Sequence, residues 1–219
     1  MKRWLKHYDS DVRPSLVPYP DKTLVDYLDR LASERPSNAA LLFKGATMTY
    51  GELNSLSTAF APALEGLGVR KGDRVALLLP NCPQFFVAEF GAWKTGAVVH
   101  VVNPTYSERE LEVALTSTGA ETVVTLTPFY GRVKAIQGRT GIRRVIATSI
   151  KEYLPPVLRI LFTLLKEKKE GHRIHLGNGD LWFADLLQAH RDAKRPAVDV
   201  RADDRAVILN SGGTTGTPK

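Results

Sequence analysis

The chain ends on Asn210-Ser211-Gly212-Gly213-Thr214-Thr215-Gly216-Thr217-Pro218-Lys219, and no other stretch gathers so many groups suited to chemistry. Glycines at 212, 213 and 216 let the backbone bend closely around a ligand and turn its amides inward. Ser211, Thr214, Thr215 and Thr217 add hydroxyls, and Lys219 adds a cation. Amides, hydroxyls and one ammonium in a tight loop make a cradle for a polyphosphate. A flexible Gly/Ser/Thr linker has a similar composition, but linkers rarely follow a buried strand and rarely close on a placed Pro-Lys. The lysine does not directly follow the last glycine, so the Walker A pattern is not met. The glycine spacing is not G-x-G-x-x-G either.

Such a loop needs a rigid support, and the apolar run 206–209 that leads into it reads as a strand. From residue 74 onward short apolar runs at 75–79, 97–102, 122–126 and 144–148 alternate with helical stretches at 83–94, 107–118 and about 129–137. Ser107 and Glu110 form a capping box at the second of these helices. Continuous apolar strands separated by helices imply an α/β fold, a mostly parallel, doubly wound sheet with flanking helices, whose ligands sit beyond the carboxyl ends of the strands.

Upstream, residues 24–34 read as a helix with Leu24, Tyr27, Leu28 and Leu31 on one face, capped by Thr23 and ended by Pro36. Runs 39–43 and 47–50 read as strands joined by a Lys44-Gly45 turn. Thr49 and Glu52 form a capping box for a helix carrying Leu53, Leu56, Phe60, Leu64 and Leu67, which Gly68 closes. Residues 181–190 read as one further helix.

Residues 151–180 interrupt this rhythm. Leu154-Pro155-Pro156 introduces the apolar run 157–165, followed by Lys166-Glu167-Lys168-Lys169-Glu170. As a helix, the run places Arg159, Thr163 and Lys166 on a narrow polar stripe. It is too short for a bilayer, which needs roughly 20 apolar residues. Either it packs on its own domain or a second subunit, or it lies in a membrane interface with basic residues at the headgroups. Packing is the leading expectation, because short amphipathic helices are mostly core-facing.

With 43% hydrophobic and 24% charged residues the composition is that of a globular chain and excludes disordered and collagen-like classes. The single cysteine, Cys82, has no internal disulfide partner, and the basic start 1–7 is followed by no apolar run, so a cytoplasmic setting is expected. The net charge of +7 favours anionic partners without choosing among nucleotides, CoA, acidic lipid and nucleic acid. No interleaved aromatic and basic motif supports nucleic acid.

Ser211 to Lys219 resembles, without a gap, the signature loop of the adenylate-forming superfamily of acyl-CoA synthetases, luciferases and peptide-synthetase adenylation domains. The resemblance extends, in the family's order, to Thr49-Tyr50-Gly51-Glu52-Leu53, to the stretch from Gly66 to Ala76, and to Gly96-Ala97-Val98-Val99 with Asn103-Pro104. Gly212-Gly213, Asn103-Pro104-Thr105-Tyr106 and the insertion at 151–155 look most like bacterial long-chain fatty-acyl-CoA ligases.

The resemblance implies ATP, Mg²⁺ and CoA. A carboxylate attacks the α-phosphorus of Mg-ATP, pyrophosphate leaves, and the CoA thiol then displaces AMP. It assigns Ser211, Thr214 and Thr215 to phosphate hydrogen bonds, and Gly212, Gly213 and Gly216 to backbone approach. Thr217 completes the loop, and Lys219 pairs charge and is the catalytic candidate. His100, Cys82 and the tryptophans carry no motif and are expected to serve packing or surface roles.

Members of the family are more than twice this length. Residues 1–219 are therefore expected to be the N-terminal part of an adenylation domain, truncated within the loop 210–219, with the small C-terminal lid absent and the fragment inactive. The expected partners are fatty acid, ATP and CoA, with peripheral membrane contact through 154–173 and a homodimer as further readings, and no nucleic acid. The competing functions are adenylation of another carboxylic acid and a non-catalytic short protein that binds a partner or membrane.

Overall fold

The computed structural model describes residues 3–210. After a 3-10 turn at Arg3–His7, the elements are α1 (Leu24–Glu34), the hairpin β1 (Ala39–Phe43) and β2 (Ala46–Thr49), and α2 (Tyr50–Gly66). Then come β3 (Arg74–Leu78), α3 (Pro83–Lys94), β4 (Val98–Val101), α4 (Glu108–Thr118), β5 (Thr122–Leu126), α5 (Thr127–Gln137) and β6 (Arg144–Thr148). A 3-10 turn at Ile150–Tyr153 leads to α6 (Pro156–Leu165), β7 (Leu181–Trp182), α7 (Phe183–Ala189) and β8 (Val207–Leu209).

Six strands form one sheet in the order β7-β6-β5-β3-β4-β8, and every pairing in it is parallel. Side chains alternate across a strand, so β3 sends Val75 and Leu77 to one face and Ala76 and Leu78 to the other. The first face meets Phe60 and Leu64 of α2, Val87 and Ala88 of α3, and Phe183 of α7. The second meets Leu111 and Leu115 of α4 and Val133 and Ile136 of α5. Because both faces are covered, the strands have no polar side to show, and this is why they read as unbroken apolar runs.

Local chemistry sets the helix starts. Thr49 N–H donates to Glu52 Oε2 at 2.8 Å while Glu52 N–H returns to Thr49 Oγ1 at 3.2 Å, and Ser107 and Glu110 do the same for α4. Lys44 and Gly45 both take positive φ, 47° and 84°, the twist that a tight hairpin requires. The hairpin ends at Thr49 rather than Tyr50, because Thr49 is already the cap of α2.

The expected helix over 181–190 is corrected at its start. Leu181 and Trp182 instead pair with Ile146 and Ala147 as a short parallel strand, and the helix begins at Phe183. Tertiary pairing on an open sheet edge overrides the local pattern there. The turn places the fully buried Phe183 ring 4.7 Å from that of Phe60.

Helix α3 lies against α2 at Gly91, where an added Cβ would stand 2.8 Å from Phe60 Cδ1 and 2.9 Å from its Cβ. Alanine favours a helix over glycine by about 1 kcal/mol, whereas overfilling a packed core costs about 1–3 kcal/mol. Gly91→Ala is therefore expected to lower stability by up to about 2 kcal/mol in urea denaturation. A raised midpoint would show that Phe60 yields and that helix propensity wins.

Candidate functional site

Five of the sheet's strands release their chain at the same edge, leading into Leu79-Pro80-Asn81, Val102-Asn103-Pro104, α5, Ser149 and Asn210. In register, Val101 of β4 lies between Leu77 and Leu209, so the chain leaving β8 emerges beside the Asn103-Pro104 segment. That segment is fastened from behind. Arg132 donates to the carbonyls of Tyr106 and Pro104 at 2.5 and 2.8 Å, and Asn103 Oδ1 accepts from Thr105 N–H at 3.0 Å.

The loop residues Ser211, Gly212, Gly213, Thr214, Thr215, Gly216, Thr217 and Lys219 lie outside the described residues. What the structure shows is how their entry point is held. Asn210 Oδ1 is 2.6 Å from Nε2 of His100, a fully buried side chain on β4. Burial lowers the His100 pKa, though the Asn210 bond opposes this, so the ring is neutral. An amide oxygen only accepts, so Nε2 carries the proton and Nδ1 accepts from the Thr118 hydroxyl at 3.1 Å. Just before β8, Trp93 Nε1 donates to Ala206 O at 2.8 Å, and Lys71 Nζ meets Asp204 Oδ2 and Asp199 O, each at 2.6 Å.

His100, Trp93 and Lys71 thus fix the strand that feeds the loop. The sequence reading gave His100 and the tryptophans only packing or surface roles. Nothing local marks them as anchors, because their partners lie 110, 113 and 128 residues away. Cys82 is buried and free, and burial pushes its thiol up to about 11, consistent with a packing role.

Two clefts adjoin these elements. One, of about 660 Å³, runs along β8 and is lined by Lys71, Arg74, Thr118, Asp204, Arg205 and Asn210 among others, so most of its charged groups are basic. The other, of about 800 Å³, opens at the carboxyl edge between Pro80, Leu126, Phe129 and Leu154 and the Leu158, Leu161, Phe162 and Leu165 side chains of α6. His172 closes one side of it, with Nδ1 2.9 Å from Thr127 Oγ1 and the ring edge-on to Phe162. Among the described residues no three His, Cys, Asp or Glu side chains gather as a metal site.

Residues 28–219 match the family model described as AMP-binding enzyme. The long-chain-fatty-acid–CoA ligase of Bacillus subtilis (strain 168) is 32% identical over 220 residues, covering 100% of this chain and 39% of that protein. The protein of the same description from Yersinia pestis is 34% identical over 221 residues, with the same coverage. The chain thus spans about two fifths of the length of these curated relatives, 39% in both cases. The crystal structure of the N-terminal domain of FACL13 from Mycobacterium tuberculosis, inhibitor bound, shares 27% identity and superposes with a TM-score of 0.69, over 90% of this chain and 43% of that one. That of the anthranilate CoA ligase AuaEII shares the fold with a TM-score of 0.73 at 22% identity, over 90% of this chain and 34% of that one.

The buried histidines give stability a defined pH dependence. Burial lowers the pKa of both His100 and His172, so the folded chain binds fewer protons than the unfolded one below the usual histidine pKa of about 6.5. The stability linked to them is present above that pH and is lost as the pH falls toward the lowered values. Glu89 acts with the opposite sign, because burial holds its carboxyl up at about 7. The histidine part is therefore the difference between two curves. Urea midpoints of the wild type are expected to fall more steeply between about pH 6.5 and 5 than those of His100→Gln/His172→Gln, and parallel curves would show that neither ring is buried neutral.

Proposed function

The chain belongs to the AMP-binding enzyme family, and from that premise we propose that it is the N-terminal part of the adenylation domain of an ATP-dependent fatty-acid–CoA ligase. The observation that carries this reading is the sequence Ser211 to Lys219 at the end of β8, on the sheet edge where parallel α/β folds place their ligands. In this reading the domain is interrupted within the loop 210–219, and the small lid domain belongs to the remainder of the enzyme. The setting is cytoplasmic. Among the described residues no helix is long and apolar enough to cross a membrane.

The chemistry has two steps. A carboxylate oxygen of the fatty acid attacks the α-phosphorus of ATP, the bond to the bridging oxygen breaks, and pyrophosphate departs to leave an acyl-adenylate. The CoA thiolate sulfur then attacks the acyl carbonyl carbon, and AMP leaves with the electron pair. This segment's part lies in the first step. Ser211, Thr214 and Thr215 hydroxyls donate to phosphate oxygens, Gly212, Gly213 and Gly216 let backbone amides approach, and Thr217 completes the loop. Lys219 balances charge on the departing pyrophosphate. Mg²⁺ enters as the Mg-ATP complex. The choice of a fatty acid is supported by the descriptions of the curated relatives, which are similar over the whole of this chain.

The two half-reactions separate this role from a structural one. In the full-length ligase, Lys219→Ala and Thr214→Ala are expected to slow adenylate formation by about 10²–10³ while transfer from preformed acyl-adenylate to CoA stays nearly unchanged. Equal losses in both steps would mean that the loop serves folding. The 219-residue chain by itself is expected to release no pyrophosphate from ATP and a fatty acid, and measurable release would show that the phosphate site is complete within it.

A further inference from the structure

Helix α6 is attached to the domain through its polar side as well as through Phe162, whose ring meets His172. Arg159 Nε and Nη2 donate to the carbonyls of Lys151 and Glu152 at 3.1 and 2.9 Å, and the Thr163 hydroxyl turns back onto Arg159 O. At about 100° per residue, Val157, Leu161 and Leu164 lie on the opposite side of the helix from Arg159 and Thr163. They face solvent. Val157 is 69% exposed, Ile160 61%, Leu164 74% and Leu165 68%, and α6 has no buried residue. An ordinary surface helix turns its apolar arc inward; here Leu158, Leu161 and Phe162 line the cleft, while Val157, Ile160 and Leu164 stay outside.

The residues that follow α6 are basic. Lys168, Lys169 and Arg173 are exposed and in no ion pair among the described residues, and Lys166 is engaged only by the exposed Glu170 at 3.3 Å. The acid between them, Glu167, is buried and neutralised by Lys151 at 2.5 Å. The surface therefore offers an apolar ridge about 15 Å long next to uncompensated positive charge.

We propose that α6 and the Lys166–Arg173 segment form a docking surface for an anionic phospholipid membrane. The helix lies in the plane of the interface, with Val157, Ile160 and Leu164 among the upper acyl chains and Lys168, Lys169 and Arg173 at the headgroups. Charge decides for lipid over a second copy of the chain. Helix α6 contains no acidic residue, so a two-fold pairing of the ridge would set each basic cluster against a helix with no negative charge and gain no neutralisation. Anionic headgroups meet both halves of the surface at once. The Arg159 bonds hold the ridge outward before any lipid is met. The inference does not depend on the ligase reading, and its test measures binding rather than activity.

The test is co-sedimentation of the full-length protein with vesicles of phosphatidylcholine alone or with about a third phosphatidylglycerol, at low and high salt, together with thermal melts and sedimentation equilibrium. Binding is expected to the anionic vesicles at low salt and to weaken at high salt. Lys168→Ala/Lys169→Ala is expected to reduce it about tenfold or more, and Ile160→Ser/Leu164→Ser to abolish it with an unchanged melting temperature. Absence of binding to anionic vesicles at low salt overturns the proposal. So does a lowered melting temperature of Ile160→Ser/Leu164→Ser, which would mean that protein covers the ridge in the complete chain. A dimer that this variant dissociates would assign the ridge to a second copy instead.

Discussion

Parallel strands cannot be joined by a tight turn. Each must be followed by a crossover that carries the chain back to the starting edge, and a helix is the usual crossover. In this protein α3, α4 and α5 serve that purpose and cover the sheet in doing so, which is why Val75, Leu77, Ala76 and Leu78 are all buried on a single strand. The same constraint gathers the strand exits at one edge. The position of Asn210, and through it the start of the glycine-rich loop, follows from the pairing of β8 with β4.

The excess of basic residues has two destinations. Several cations are spent inside the fold as clamps on backbone carbonyls. Arg74 holds Thr118 O and Gly119 O, Arg132 holds Pro104 O and Tyr106 O, and Arg159 holds Lys151 O and Glu152 O. Lys94 is the extreme case: it is fully buried, and its ammonium is ringed by Asn54 O and Oδ1, Ser57 Oγ and Thr58 Oγ1, all within 3.0 Å. Burial pulls its pKa down to about 7, against the attraction of Asp29. These four oxygens replace the water that a buried ammonium would otherwise lack, and the cluster ties α3 to α2. Lys168, Lys169 and Arg173 are among the cations left facing outward.

Helix α6 shows why an amphipathic pattern does not say which way a helix faces. Read as a pattern, its wide apolar arc suggested packing on the domain or on a second subunit. In the fold, the Arg159 guanidinium binds the Lys151 and Glu152 carbonyls at the end of a 3-10 turn, and this fixes which part of the apolar arc reaches the domain. Leu158, Leu161, Phe162 and Leu165 still line one wall of a cleft, while Val157, Ile160 and Leu164 stay outside.

The sequence by itself determined what is decided within a few residues. The strands at 122–126 and 144–148, the helix at 83–94, the capping boxes at Thr49 and Ser107 and the Lys44-Gly45 turn all agree with the structure, since periodicity, capping and glycine conformation act over one or two turns of chain. The glycine-rich sequence and its likeness to one family were legible for the same reason: such a signature is a run of contiguous residues. Only the tertiary structure decided that Leu181 and Trp182 extend the sheet, that α6 leaves Val157, Ile160 and Leu164 outward, and that His100, Trp93 and Lys71 hold the strand before the loop. Each of those outcomes depends on which other segment offers an open sheet edge, a backbone carbonyl or a side-chain partner. Separations of 110, 113 and 128 residues leave no local pattern, because the pairing register of the sheet alone brings such residues together.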